Sequence, residues 1–365
     1  MKTAIIHDWL TGMRGGEKVV EAICELYPEA DLYTLFHFKG AVSDTIEKMN
    51  IHTSFLQYMP FARKYYRYYL PFMPMAIEAF NVKNYDLIIS SSHCVAKGVI
   101  PGKNAVHICY CHTPVRYAWE MYGQYFAIGN KPKGIKDFVI EGVMKYIRNW
   151  DIKTVGRVNH FVSNSENIKE RIKRCYNREA AVIYPPVDTE YYGNKDIVDK
   201  REDYYLLAGA FAPYKRLDLA VEAFNKLGYR LVIIGQGQDE KKLRSLADKN
   251  IEFLGWQDDK KLYECYSKCK AFIFPGEEDF GIMPVETQLA GTPVIAYGKG
   301  GALETVIDGK TGVLFYEQTC EALIGAVKKF ENMSFNRNAV RENGLRFNKA
   351  RFKNEFKGFV DSKLQ

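Results

Sequence analysis

Short apolar runs suited to buried strands alternate with helix-length amphipathic stretches, in two separate blocks. The first block opens on Thr3–His7 and passes through a glycine-containing loop into a helix expected from Glu17 to Leu26. Its further strands are expected at Leu32–Phe36, Tyr85–Ser90, Ala105–Tyr110, His160–Ser163 and Ala181–Tyr184, with a long helix over Ile135–Val155. The second block follows Pro185-Pro186, a rigid punctuation suited to a linker. Its strands are expected at Tyr205–Gly209, Leu231–Ile234, Ile251–Phe253, Ala271–Phe274 and Pro293–Ala296. Alternation of this kind implies parallel sheets covered by helices on both faces. The expectation is therefore an α/β chain of two doubly wound, Rossmann-like domains facing each other across a cleft. A length of 365 residues, more than one core sustains, agrees with two domains. The chain carries no repeat of the length that marks a solenoid.

Open α/β sheets bind ligands at the carboxyl edge of their strands. Residues 275–291 place two carboxylates there, with Glu278 and Glu286 bracketing seven residues. Ala271–Phe274 reads as a buried strand ending in a loop, and Met283–Ala290 as the following helix, stopped by Gly291-Thr292-Pro293. The first carboxylate then lies at the strand's end and the second within the first turns of the helix, whose free N–H groups suit a sugar or phosphate oxygen. Taken alone, the pair also reads as an acidic loop beside a solvated helix face.

Lys215 and Arg216 sit between the strand Tyr205–Gly209 and the helix Leu217–Leu227, again at a carboxyl edge, where two cations and a helix N-terminus attract a diphosphate. In the first block, Gly12 to Lys18 holds Gly15 and Gly16 just before a helix, where backbone N–H groups can approach a phosphate; many such loops are only tight turns. Gly235-Gln236-Gly237 lacks the third glycine of a dinucleotide fingerprint, which argues against a dehydrogenase. In the run from His107 to Trp119, His107, Cys109 and Cys111 share one strand face and His112 ends the strand, poised for a sugar hydroxyl. A zinc site would need a second half that is missing, so no metal is expected.

Residues 55–80 break the alternation. Within them Arg63, Lys64 and Arg67 interleave with five tyrosines, Tyr65 and Tyr66 among them, and Pro60, Pro71 and Pro74 bound the segment. Amphipathic rings beside cations suit a membrane interface; packing against the chain's own domain is the alternative. The net charge of +7 suits an anionic partner without choosing one. No recognised nucleic-acid fold accompanies it. No run of eighteen apolar residues and no leader pattern is present, so the expected location is cytoplasmic. The eight cysteines are expected reduced.

Together these residues resemble the family 4 retaining glycosyltransferases of GT-B fold, across nearly the whole chain. The resemblance is carried by the glycine loop after the first strand, the lysine loop at 209–218, the E-x7-E element with its trailing Gly-Thr-Pro-Val-Ile-Ala, and Gly300-Gly301 through Glu304. The runs Tyr110 to Trp119 and Val182 to Asp188 resemble a subset that transfers mannose from GDP-mannose during surface-polysaccharide assembly.

The resemblance implies domains at 1–185 for the acceptor, 186–345 for the nucleotide sugar, and a helix at 346–365 crossing back to the first. It implies Glu278 and the backbone of Phe280, Gly281 and Ile282 on the donor sugar or diphosphate, Glu286 on the ribose, and Lys215, Gly15 and Gly16 on the diphosphate. His112 would touch the donor sugar, with His112, Glu278 and Lys215 as the catalytic set, and Gly255-Trp256 would face the base. Arg116, with Arg63, Lys64, Tyr65, Tyr66 and Arg67, falls to the acceptor or membrane side. The family's usual Gly-Arg is Gly209-Ala210 here, and Arg216 is the candidate substitute. The implied reaction retains configuration, giving an α-linked hexose on a lipid-linked glycan, without metal or cofactor, at the inner membrane face. A nucleotide-sugar epimerase and a non-catalytic binder are the alternatives.

Overall fold

A computed structural model describes residues 1–119, 134–198 and 200–364. The chain divides into two compact units, residues 1–186 with 350–365, and residues 187–349.

In the first unit the strands are β1 (Thr3–His7), β2 (Asp31–Thr34), β3 (Asn50–Thr53), β4 (Leu87–Ser92), β5 (Val106–Cys111), β6 (His160–Ser163) and β7 (Ala180–Val182). They form one sheet in the order β3-β2-β1-β4-β5-β6-β7, with all pairings parallel. The central strands β1 and β4 are buried along their whole length, as strands covered on both faces must be. On one face, Val19, Val20 and Ile23 of the helix Gly15–Leu26 join Phe352, Phe356 and Val360 of the last helix, Lys349–Leu364. The period of those three residues puts them on one side of that helix. The opposite face is covered by Leu56, Tyr66, Met73, Ile77 and Trp150.

The second unit repeats the plan with β8 (Tyr205–Ala208), β9 (Leu231–Ile234), β10 (Ile251–Gly255), β11 (Phe272–Phe274), β12 (Val294–Tyr297) and β13 (Gly312–Phe315). The order is β10-β9-β8-β11-β12-β13, again parallel throughout. In both sheets the strand order reverses once, between β1 and β4 and between β8 and β11. That reversal opens a crevice at the carboxyl ends, the standard ligand position of doubly wound sheets.

Two strands go beyond the sequence reading, β3 and β13, and both lie at sheet edges. Asn50-Ile51-His52-Thr53 is partly exposed and mostly polar, so it lacks the apolar run that marks a central strand. The segment 55–78 folds as short helical turns, Phe55–Tyr58, Ala62–Tyr65, Tyr66–Phe72 and Met73–Glu78, broken by prolines.

Candidate functional site

Each crevice carries polar groups, and each is described within its own unit. In the second unit, Gly209 follows β8 with φ near +144° and lets the chain turn sharply toward Lys215. The Lys215 ammonium forms an ion pair and hydrogen bond with Glu278 Oε1. Both side chains are mostly buried, so their charges meet in a poorly screened place. The Glu278 loop is held by its own backbone: Gly301 N–H donates to the Glu278 carbonyl at 2.8 Å. Two glycines are required by close approach here. A Cβ on Gly276 would stand 2.8 Å from Lys215 Cα, and one on Gly301 2.2 Å from Phe280 Cα.

Gly281, left-handed with φ 85°, starts the helix Ile282–Leu289 and frees its first amides. Phe280 is buried against the Phe347 ring at 5.3 Å, so its contribution to any ligand is limited to backbone. Glu286 lies one turn into that helix, buried, with the Tyr266 hydroxyl 3.5 Å from its Oε2. Arg216 is engaged elsewhere: its guanidinium bonds Asp218 at 3.1 Å and Gln318 at 3.3 Å, and Gln318 donates to the Pro275 carbonyl at 2.9 Å. It thus braces the loop that leads into Glu278. At the end of β10, Gly255 has φ 70° and the Trp256 ring is 68% exposed, free to stack on a flat apolar group.

In the first unit, Gly15 and Gly16 open the helix Gly15–Leu26. A Cβ on Gly16 would lie 3.8 Å from His112 Nε2 and 3.7 Å from His7 Cε1, so the glycine backbone lies directly over both imidazoles. His112 directly follows β5, half-buried, with Nε2 2.8 Å from Ser91 Oγ. Around it stand residues that the sequence reading did not single out. Asp8 is fully buried and accepts four backbone N–H bonds, from His93, Cys94, Val95 and Ala96, at 2.6–3.0 Å. It also faces His93 Nδ1 at 3.1 Å. His7 donates from Nδ1 to the Ser91 carbonyl at 3.0 Å, and its Nε2 lies 3.9 Å from Glu17, a charge attraction too long for a hydrogen bond.

Electrostatics sort these imidazoles. Burial alone would lower the pKa of His7, but the neighbouring Glu17 and Asp8 carboxylates outweigh it and raise it. Burial likewise opposes ionisation of Glu17, yet His7 and His93 hold its pKa below the ordinary value. Among the described residues no carboxylate is paired with His112; burial, then the charges of His93 and His7, hold it well below the ordinary range, so it is neutral at pH 7. The His7 contribution to stability is fully present below pH 6.5 and fades as pH rises through the raised folded value; the Glu17 contribution is present above pH 4.5 and fades as pH falls through the lowered one. The stability difference between wild type and His7→Gln, taken from urea melts, should therefore peak between those limits and shrink as pH rises through the raised folded value of His7. A difference flat with pH would contradict the pairing.

His107 is not part of this group. Its two nitrogens are taken by Ser90 Oγ at 2.8 Å and the Arg157 carbonyl at 2.9 Å, and burial pushes its pKa down to about 4. Among the described residues, no group of three or more His, Cys, Asp or Glu side chains is arranged to hold a metal. The side chain of Arg116 lies outside the described residues.

The basic aromatic segment divides. Tyr58, Phe61 and Tyr68 are 83%, 77% and 80% exposed, and Arg63, Lys64, Tyr65 and Arg67 are exposed beside them. Tyr66 corrects the sequence reading: it is buried against Trp9, Phe36 and Phe38 and is unavailable to an acceptor or a membrane. Residues three apart share a face of a 3₁₀ turn, so Tyr65 and Tyr68 face outward while Tyr66 and Tyr69 turn inward.

Two family models match the chain, Glycosyltransferase Family 4 over residues 13–191 and Glycosyl transferases group 1 over residues 188–347. An uncharacterized glycosyltransferase of Methanocaldococcus jannaschii, MJ1178, is 32% identical over 192 residues, 51% of this chain and 53% of that protein. The alpha-1,3/1,6-mannosyltransferase ALG2 of Dictyostelium discoideum is 36% identical over 107 residues, 29% of this chain and 25% of that protein. The chain spans about half, or less, of the length of these curated relatives. Among solved structures, Anabaena Alr3699/HepE in complex with UDP-glucose superposes with a TM-score of 0.69 at 15% identity, covering 99% of this chain and 100% of that one.

Proposed function

The chain belongs with the family 4 glycosyltransferases of GT-B fold, and on that premise we propose that it moves a hexose from a nucleotide sugar to a lipid-linked glycan. The observation that carries this reading is the meeting of Lys215 and Glu278 at the β8/β11 crevice, with Glu286 one turn into the adjoining helix. A cation, two carboxylates and free helix amides at one edge suit a ligand that joins a diphosphate to hydroxyl-rich groups. Lys215 stabilises the charge that grows on the departing nucleoside diphosphate. Glu278 accepts from sugar hydroxyls, Glu286 from the ribose, and Trp256 stacks on the base. His112 is assigned to the donor sugar.

Configuration is retained: the acceptor hydroxyl attacks from the leaving-group side, and a donor phosphate oxygen takes its proton. No dedicated base and no metal are then required, and catalysis is positioning plus electrostatics. The donor is read as GDP-mannose; the likeness to an alpha-1,3/1,6-mannosyltransferase supports the sugar. A labelled donor panel including GDP-mannose and UDP-glucose, offered with a polyprenyl-diphosphate glycan in chelator, tests the reading. Transfer of label to lipid is the expected result. Isomerised donor without acceptor would make it an epimerase, and saturable binding without turnover a binder.

The exposed ridge of the first unit is assigned to the cytoplasmic membrane surface, where the acceptor resides. Residues 55–77 contain no acidic residue, and their exposed rings alternate with three cations. No helix among the described residues is long and apolar enough to cross a membrane. Replacing Tyr58, Phe61 and Tyr68 together by serine should weaken binding to phosphatidylglycerol vesicles at least about tenfold, from lost ring burial alone. The melting temperature and nucleotide affinity should not move. Tyr66→Ser should instead lower the melting temperature, and equal vesicle binding by the triple variant would remove the membrane from the account.

A further inference from the structure

Ser91 is the last but one residue of β4, fully buried, and among the described residues its hydroxyl meets one group, His112 Nε2, at 2.8 Å. Its carbonyl is already occupied by the Nδ1–H of His7 at 3.0 Å, which ties the strand end in place. The parallel register that sets His7 beside Ser91, and Ser92 beside Cys111, brings the three strand ends together.

The direction of the Ser91–His112 hydrogen bond follows from satisfying both partners. If Nε2 carried the proton, it would donate to Oγ, and the serine proton would be left without an acceptor in a place closed to water. With the serine donating, Oγ–H meets the Nε2 lone pair and neither group is left unpaired. A neutral imidazole that accepts at Nε2 carries its single proton on Nδ1. Nδ1 of His112 has no partner among the described residues, and the side chain is half-buried rather than sealed.

We propose that Ser91 is a positioning residue that fixes His112 as the Nδ1–H tautomer, leaving Nδ1–H as a donor for a ligand oxygen. The surroundings favour the neutral ring: His7 and His93 stand nearby, each facing a carboxylate, Glu17 and Asp8 respectively, whereas no carboxylate is paired with His112 among the described residues. The ligand oxygen belongs to the donor sugar or its phosphate, an identification that rests on the glycosyltransferase reading above. The tautomer does not depend on that reading, because it is a property of the free protein. A donor at this point stabilises negative charge or donates to a hydroxyl oxygen; an Nε2–H tautomer would offer a lone pair instead, which could only accept from a hydroxyl and would repel a phosphate oxygen.

The test is nitrogen-15 NMR of histidine-labelled full-length protein near neutral pH, with the His112 signals assigned through His112→Gln. Wild type should show Nδ1 protonated and Nε2 bare. Ser91→Ala should lose that signature, and its kcat/KM for glycosyl transfer should fall about tenfold, the size of one lost hydrogen bond's discrimination. Ser91→Thr keeps the hydroxyl and should restore both. An Nε2-protonated wild type, or a tautomer unchanged in Ser91→Ala, overturns the proposal whatever the activity shows. Absence of transfer in wild type counts against the glycosyltransferase reading and leaves the NMR result decisive for Ser91.

Discussion

Replacing Lys215 by alanine should cut kcat/KM for the nucleotide sugar by about 100- to 1,000-fold, most of it in kcat. The lysine is positioned for this by three local facts: the turn at Gly209, the close packing of its backbone on Gly276, and the pairing of its ammonium with Glu278. In the metal-independent reaction proposed above, one preorganised cation would carry much of the charge that develops on the leaving diphosphate. Removing it also strands a mostly buried carboxylate, and an uncompensated buried charge is itself costly. The measurement therefore needs Glu278→Gln and the double variant, so that the coupling between the two is separated from each single loss. Single-turnover kinetics within about fivefold of wild type would show that Lys215 does not stabilise the transition state.

Glu286→Gln should act on the other parameter. Hydrogen bonds from ribose hydroxyls to a carboxylate are worth about 1.5–3 kcal/mol each, so donor KM should rise roughly 10- to 150-fold while kcat changes much less. Glutamine keeps the shape of a buried side chain in the tight helix Ile282–Leu289, and the Tyr266 hydroxyl still has an oxygen to meet. Thermal melting should therefore stay near wild type. An unchanged KM would remove the ribose from this position, and a collapsed melting transition would mean that the carboxylate serves the fold.

The contrast between the two units explains what was readable in the sequence. The α/β plan was legible because parallel strands buried on both faces must be apolar runs, and Ile5-Ile6, Leu231–Ile234 and Val294-Ile295-Ala296 are such runs. The edge strand β3 is partly exposed and mostly polar, and it left no comparable trace; β13 is buried throughout, but its apolar run is only the three residues after Gly312. The candidate residues of the second unit were legible because Lys215, Glu278 and Glu286 each follow or adjoin one recognisable strand–turn–helix unit. Their pairing was not, since 63 positions separate Lys215 from Glu278.

The cluster around His112 lay further out of reach. His7, Asp8, Glu17, Ser91 and His93 come from the ends of two strands and one helix, and each is ordinary in its own context. Only the registers His7 with Ser91 and Ser92 with Cys111 assemble them. A polar His7-Asp8 closing an otherwise apolar strand was the available signal. Tyr66 was misread for a related reason: composition marks 55–80 as amphipathic, but the 3₁₀ turn decides which rings face inward.

A crystal structure with a non-hydrolysable GDP-mannose analogue, grown in chelator, would decide whether the β8/β11 crevice holds the nucleotide sugar. The diphosphate should lie within hydrogen-bond reach of Lys215 Nζ, with the ribose hydroxyls on Glu286. Density for the nucleotide away from the β8/β11 crevice, or seen only when a divalent cation is restored, would contradict this expectation.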